Sequence, residues 1–246
     1  MTRLTRFLRS MVLCGCAISW LGLAPVLAAV DPKAEELARA VMQKMGGQAS
    51  WNATRYVRWD FFGGRRHWWD RFNGDIRIEA EQRIVLMNIH TLKGRVWQDG
   101  QELAPGEELD EALVAGHQWW VNDSYWMFMP YKLLDPGVNL QYAGQREMED
   151  GRPADVLEMT FGEGIGYTPQ NRYEIFVAQD TGLVEAWSFY ADASDAEPRF
   201  TMPWAGWERF GKILLANSRG RDKDWNISVP EELPESVFRS PEPVDG

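Results

Sequence analysis

Apolar positions recur along the chain with two different spacings. From Asp31 to Gly47, Leu37, Ala38, Val41 and Met45 fall on one stripe at helical spacing, which predicts an amphipathic helix that must lie on something apolar. Asp31 suits its N-cap, Pro32 its first turn and Gly46-Gly47 its end. From Thr54 the period drops to two: Val57, Trp59 and Phe61 alternate with Arg58 and Asp60. The turns Gly63-Gly64, Asn73-Gly74 and Asp99-Gly100 separate runs at Arg66–Phe72, Ile76–Glu79, Ile84–His90 and Val96-Trp97. Short alternating runs joined by tight turns predict an antiparallel meander rather than βαβ units.

The middle changes character. Leu109, Ala112, Leu113 and His117 fit a helix over Pro105–Asn122, with Glu107, Glu108 and Asp110 where the helix dipole favours them. The most aromatic stretch of the chain follows, from Trp119 to Pro130. Strand patterns then return in Val138–Tyr142, Leu157–Phe161, Tyr173–Val177, Leu183–Tyr190, Arg199–Met202 and Trp207–Leu215. No internal repeat and no second domain boundary is visible. The expected class is mainly β with a few helices. Residues 29–239 are expected to form a single domain, and the Pro-rich acidic residues 240–246 a disordered tail.

The first thirty residues read differently. Arg3, Arg6 and Arg9 precede an almost wholly apolar stretch from Met11 to Leu27, and Val26-Leu27-Ala28 offers small residues for cleavage. This is the three-part pattern of a secretory signal peptide, expected over 1–28. Gly15, Gly22 and Pro25 interrupt the apolar stretch, which is short for a bilayer span. No later segment is long and apolar enough to span a membrane. Both cysteines, Cys14 and Cys16, lie inside it, and Leu13-Cys14-Gly15-Cys16 is a poor lipidation site. The exported chain would therefore hold no thiol and no disulfide, and its stability must come from its core. The expected location is the periplasm, with outer-membrane association open, and the expected state a monomer.

Charge narrows the partners. The net charge is −10 and becomes more negative when the signal arginines leave. That excludes a nucleic-acid partner and disfavours an anionic membrane surface. His67, His90 and His117 are the only histidines and form no H-E-x-x-H pair, so neither metal nor cofactor is expected. His67, beside Trp68 and Asp70, fits a satisfied polar residue on a strand better than a site residue. No serine sits in a G-x-S-x-G elbow, and Gly162-Glu163-Gly164-Ile165-Gly166 lacks the Lys-Ser/Thr of a phosphate loop. No catalytic motif emerges, and a non-enzyme is expected.

The aromatic content is what remains. Twelve of the thirteen tryptophans follow the signal. Large apolar side chains with one polar handle fill a core or line an apolar cavity equally well. The candidates for a cavity wall are Trp59, Phe61, Trp68, Trp97, Trp126, Met127 and Met129.

The order of elements resembles the LolA/LolB-like superfamily of periplasmic lipid and lipoprotein carriers. Two stretches are similar to a branch of that group found in exported bacterial proteins: Gly63-Gly64-Arg65-Arg66-His67-Trp68-Trp69-Asp70, and residues 121–138, which include Asn122-Asp123-Ser124-Tyr125-Trp126. The resemblance implies an unclosed antiparallel β-barrel lidded by helices, with an apolar cavity for an acyl chain, a lipid or an envelope lipoprotein. The carriers' functional arginine has no placed counterpart, because no surrounding motif aligns. Two other functions stay open. A carbohydrate-active protein would show exposed, coplanar tryptophans beside paired carboxylates. An envelope structural or assembly protein would show a filled core and no pocket.

Overall fold

A computed structural model describes residues 30–220 and 225–244. The expected signal peptide, with Cys14 and Cys16, lies outside these residues. Helix α1 (Pro32–Lys44) is capped as its sequence predicts: the Asp31 side chain accepts from the Ala34 N–H at 2.9 Å. Ala34, Ala38, Val41 and, just beyond the helix, Met45 carry its stripe into the core. The expected single helix to Gly47 is two, because Gly46 takes φ +117° and starts α2 (Gly47–Ala53). A Cβ at Gly46 would stand 2.4 Å from the Lys212 carbonyl oxygen, so backbone conformation and crowding both require glycine there.

The meander follows as a six-stranded antiparallel sheet: β1 (Tyr56–Phe61), β2 (Arg65–Asp70), β3 (Asp75–Ala80), β4 (Arg83–Asn88), β5 (Gly94–Gln98) and β6 (Gln101–Glu102), in sequential order. A second sheet has five strands, β7 (Val138–Glu147), β8 (Pro153–Phe161), β9 (Arg172–Ala178), β10 (Val184–Tyr190) and β11 (Phe200–Pro203), also in sequential order. The run expected over Trp207–Leu215 is a hairpin of β12 (Ala205–Phe210) and β13 (Ile213–Ser218), turning at Gly211-Lys212. The described residues are mainly β, with antiparallel sheets that do not close and three α-helices. No helix among the described residues is long and apolar enough to cross a membrane.

Helix α3 (Glu107–Phe128) joins the two sheets. It runs a turn and a half beyond the expected Asn122, straight through the aromatic stretch. Ala112 and Leu113 pack with Ile78, Val85 and Val96 of the first sheet. Met127 and Phe128 enter a larger core shared with Trp59, Leu157, Ile175 and Trp187. Burying each such side chain contributes about 1.5–3 kcal/mol.

The chain's end covers the outer face of the first sheet. Residues 225–228 pair along β1, with reciprocal bonds between Arg58 and Ser228 at 2.9 Å. Val237 and Phe238 then pack on Tyr56 and Trp68. Of the expected tail 240–246, residues 240–244 are among those described. Here the fully buried Arg77 donates to the carbonyls of Val237, Ser240 and Glu242. These backbone acceptors carry no signature in a proline-rich stretch.

Candidate functional site

A cavity of about 650 Å³ opens between α3 and the second sheet, within the range typical of small-ligand sites. Its walls follow from two periodicities. On α3 the lining residues are Gln118, Val121, Asn122, Tyr125 and Trp126, spaced i, i+3, i+4, i+7, i+8, one stripe of a helix. On β10 they are Trp187 and Phe189, with Ala191 just past its end, spaced by two, one face of a strand. Phe161, Tyr173 and Phe200 come from β8, β9 and β11. The loop after β8 supplies Ile165, Gly166, Tyr167 and Thr168, the turn before β7 supplies Lys132 and Asp135, and β7 itself Val138.

The rings touch one another. Tyr173 and Trp187 stack at 5.1 Å with planes 5° apart, and Trp126 stands across Trp187 at 4.8 Å and 86°. Phe200 continues the wall 5.7 Å from Trp126 and 5.2 Å from Phe189. Offset-stacked and edge-to-face pairs of this kind hold one another in place.

Polar groups sit around this apolar floor. Lys132 and Asp135 pair with each other at 2.5 Å. The Tyr125 hydroxyl points to the Met159 sulfur at 3.2 Å, and burial holds its pKa well above the ordinary value. Burial likewise raises the Tyr173 hydroxyl, although the Asn171 amide, 3.4 Å away, works against the shift. On the rim, the Tyr167 hydroxyl meets His117 Nδ1 at 2.6 Å. Partial burial lowers the His117 pKa and favours the neutral ring, whose tautomer sets which partner donates. This bond ties the loop to α3.

The sequence candidates divide. Trp126 lines the cavity. Phe61 lies one layer behind it, 6.2 Å from Trp126 and 5.7 Å from Trp225. Trp59, Met127 and Met129 are core residues, fully enclosed. Trp68 faces the opposite side of the first sheet, under Val237 and Phe238. Trp97 is buried beneath the Arg95 guanidinium at 4.5 Å and is not part of the cavity. The sequence reading missed Tyr125, Phe161, Tyr173, Trp187, Phe189 and Phe200. Tyr125 lies on the face of α3 away from the Leu109–Ala112–Leu113 stripe, so that stripe could not point to it, whereas the period-two spacing of Trp187 and Phe189 was legible.

Away from the cavity, α3 is fixed to the first sheet by a buried ionic cluster. Arg65 holds Asp123 with two bonds of 2.6 and 2.7 Å, and His67 Nε2 meets the same carboxylate at 2.7 Å. Burial opposes the charge on Asp123, but its bonds from Arg65 and His67 prevail and keep its pKa below the usual carboxylate range. Burial lowers the His67 pKa despite Asp123, so the imidazole is neutral and donates from Nε2. Its ring stacks on Trp59 at 4.5 Å. His67 is thus a buried strand residue paired through Nε2, while its Nδ1 is buried with no hydrogen-bond partner. All twelve tryptophans among the described residues are buried or half-buried, so none of them forms an exposed platform for a glycan. Among the described residues no cluster of His, Cys, Asp and Glu is arranged to hold a metal.

No protein-family model matches the sequence, and no curated protein matches it. Solved structures do. The chain is similar to a domain described as an outer membrane lipoprotein-sorting protein, from Vibrio parahaemolyticus, at 9% identity and a TM-score of 0.43, over 84% of this chain and 96% of that one. It is similar to a LolA superfamily protein from Nitrosomonas europaea at 11% identity and a TM-score of 0.39, over 82% and 96% of the two chains. It is also similar to MucB at 19% identity and a TM-score of 0.25, over 65% of this chain. The match spans about half of MucB, 53% of its length.

Proposed function

We propose that this chain is a non-catalytic periplasmic binding protein or carrier that holds the apolar part of a lipid-like ligand between α3 and the second sheet. One observation carries the reading: a continuous, mostly apolar cavity of about 650 Å³ left open beside a core that is otherwise packed. Protein interiors normally interdigitate with few voids larger than a water molecule. A hollow of this size, lined by rings and rimmed by a few polar groups, is the form a ligand site takes. The signal-like N-terminus supports the compartment, and the resemblance to the LolA/LolB-like group supports a lipid or an acyl chain, free or on an envelope lipoprotein, as cargo. An assembly protein without a small ligand has less support, because it has no use for the hollow.

Two measurements test this. Native mass spectrometry of protein purified from its own periplasm should show a co-purified apolar molecule of defined mass. Val121→Glu, which places a carboxylate on the cavity wall at a half-buried helix position, should abolish that adduct while leaving the circular dichroism spectrum unchanged. An adduct that persists in the folded variant places the ligand elsewhere.

A further inference from the structure

The character of the walls says more about the cargo than the volume does. Eight of the cavity's lining residues are aromatic, and none is leucine or methionine. The core directly behind is different: Met127, Met129, Leu140, Leu157 and Met159 are all enclosed there. Leucine and methionine are therefore kept to the core, and the aliphatic part of the cavity surface is the branched Val121, Val138 and Ile165. Leucine and methionine reshape around a saturated chain that can adopt many conformers. Aromatic side chains, with two rotatable bonds and interlocked neighbours, keep their shape.

The fixed shape has a flat part and a corner. Tyr173 and Trp187 stack in nearly parallel planes, with Trp187 almost fully enclosed and Tyr173 on the outer side of the pair, and Trp126 rises perpendicular to Trp187. A planar π-system can lie face-on to one wall with its edge toward the other, using the quadrupole of both. A saturated chain gains no such term. The polar lining has no unpaired charge, because Lys132 and Asp135 neutralise each other. A fatty-acid carboxylate entering here meets an ammonium already engaged. Gln118, Asn122, Gln170 and Thr168 instead bring amide and hydroxyl groups to the cavity, which suit neutral carbonyl or hydroxyl groups.

We infer that the ligand places a planar, conjugated, uncharged ring bearing carbonyl or hydroxyl groups in this cavity, as a quinone-type lipid does. The inference rests on the cavity-binding reading above and specifies its cargo. The test uses protein stripped of bound lipid and two probes, menadione as the ring and palmitate as the saturated chain, each titrated by isothermal calorimetry. Menadione should bind at least tenfold more tightly than palmitate and should quench tryptophan emission. Replacing two wall rings by aliphatic groups, Phe189→Leu with Phe200→Leu, should weaken menadione at least fivefold and leave palmitate unchanged or tighter, in protein with an unaltered circular dichroism spectrum. Palmitate binding as well as or better than menadione, or a menadione affinity indifferent to the double replacement, overturns the ring preference and leaves the cavity reading standing. Failure of both probes to bind the wild-type protein overturns the cavity reading itself.

Discussion

At the residue scale, Asp123 shows how a fully buried charge is kept. It accepts two bonds from Arg65 and one from His67, and a buried ion left without its partner costs about 3–5 kcal/mol. The cluster also sets a pH dependence. The His67 pKa in the fold lies below its ordinary value of 6.5. Between the folded and unfolded values the unfolded chain binds more protons, so stability is fully present above pH 6.5 and falls as pH drops below it. His117, lowered by burial, contributes with the same sign. His67→Gln keeps an amide donor for Asp123 and removes one titration. Urea unfolding from pH 7.5 to 5 should show the slope of stability against pH reduced in the variant, by at most about 1.4 kcal/mol per pH unit. Identical slopes would show that His67 does not titrate with folding. The two stretches that carried the family resemblance meet at this cluster, Arg65 and His67 from one and Asp123 from the other. Their residue types were legible in the sequence. Their contact, across more than fifty residues, was not.

At the element scale, α3 decides whether a cavity exists. One stripe faces the first sheet and another the hollow, so the helix reads as weakly amphipathic and its aromatic second half looked like a separate segment. Its approach to the first sheet depends on Gly116, where a Cβ would stand 2.8 Å from the Val85 Cγ1 atom. Alanine is favoured over glycine within a helix by about 1 kcal/mol. Here the clash with a fully buried valine outweighs that gain. Gly116→Ala should lose about 1–3 kcal/mol of stability in chemical denaturation. Adding Val85→Ala should recover part of the loss, since the two changes occupy one space. A stabilised single variant would mean that α3 has room to move outward. By contrast, the start of α1 and the first-sheet turns at Gly63-Gly64, Asn73-Gly74 and Asp99-Gly100 were legible, because a cap, a stripe and turn dipeptides act over a few residues.

At the scale of the whole molecule, two open sheets and one helix enclose a packed core beside a hollow, and the terminal segment from Trp225 seals the outer face of the first sheet. An occupied cavity should therefore stabilise the entire fold. A ligand at one hundred times its dissociation constant adds about 2.7 kcal/mol, which in a domain of this size raises Tm by about 5–10 °C. Differential scanning fluorimetry with menadione should show that rise in the wild type and little of it in Val121→Glu. An equal shift in both proteins would place binding outside the cavity.

The sequence by itself determined what depends on neighbours along the chain. Alternation and turn residues set an antiparallel, mainly β molecule, Asp31 and Pro32 set the start of α1, and tryptophan content without thiols required a large apolar interior. Tertiary structure decided which aromatic faces meet. Periodicity says that Trp59, Trp68 and Trp126 each need an apolar environment, but not which one. Trp59 is closed in by Phe128 and His67, Trp68 is covered by a proline-rich segment without pattern, and Trp126 alone of the three is left facing open space. The difference lies in how far α3 stands from the second sheet, a distance fixed by long-range packing and absent from any local stretch of residues.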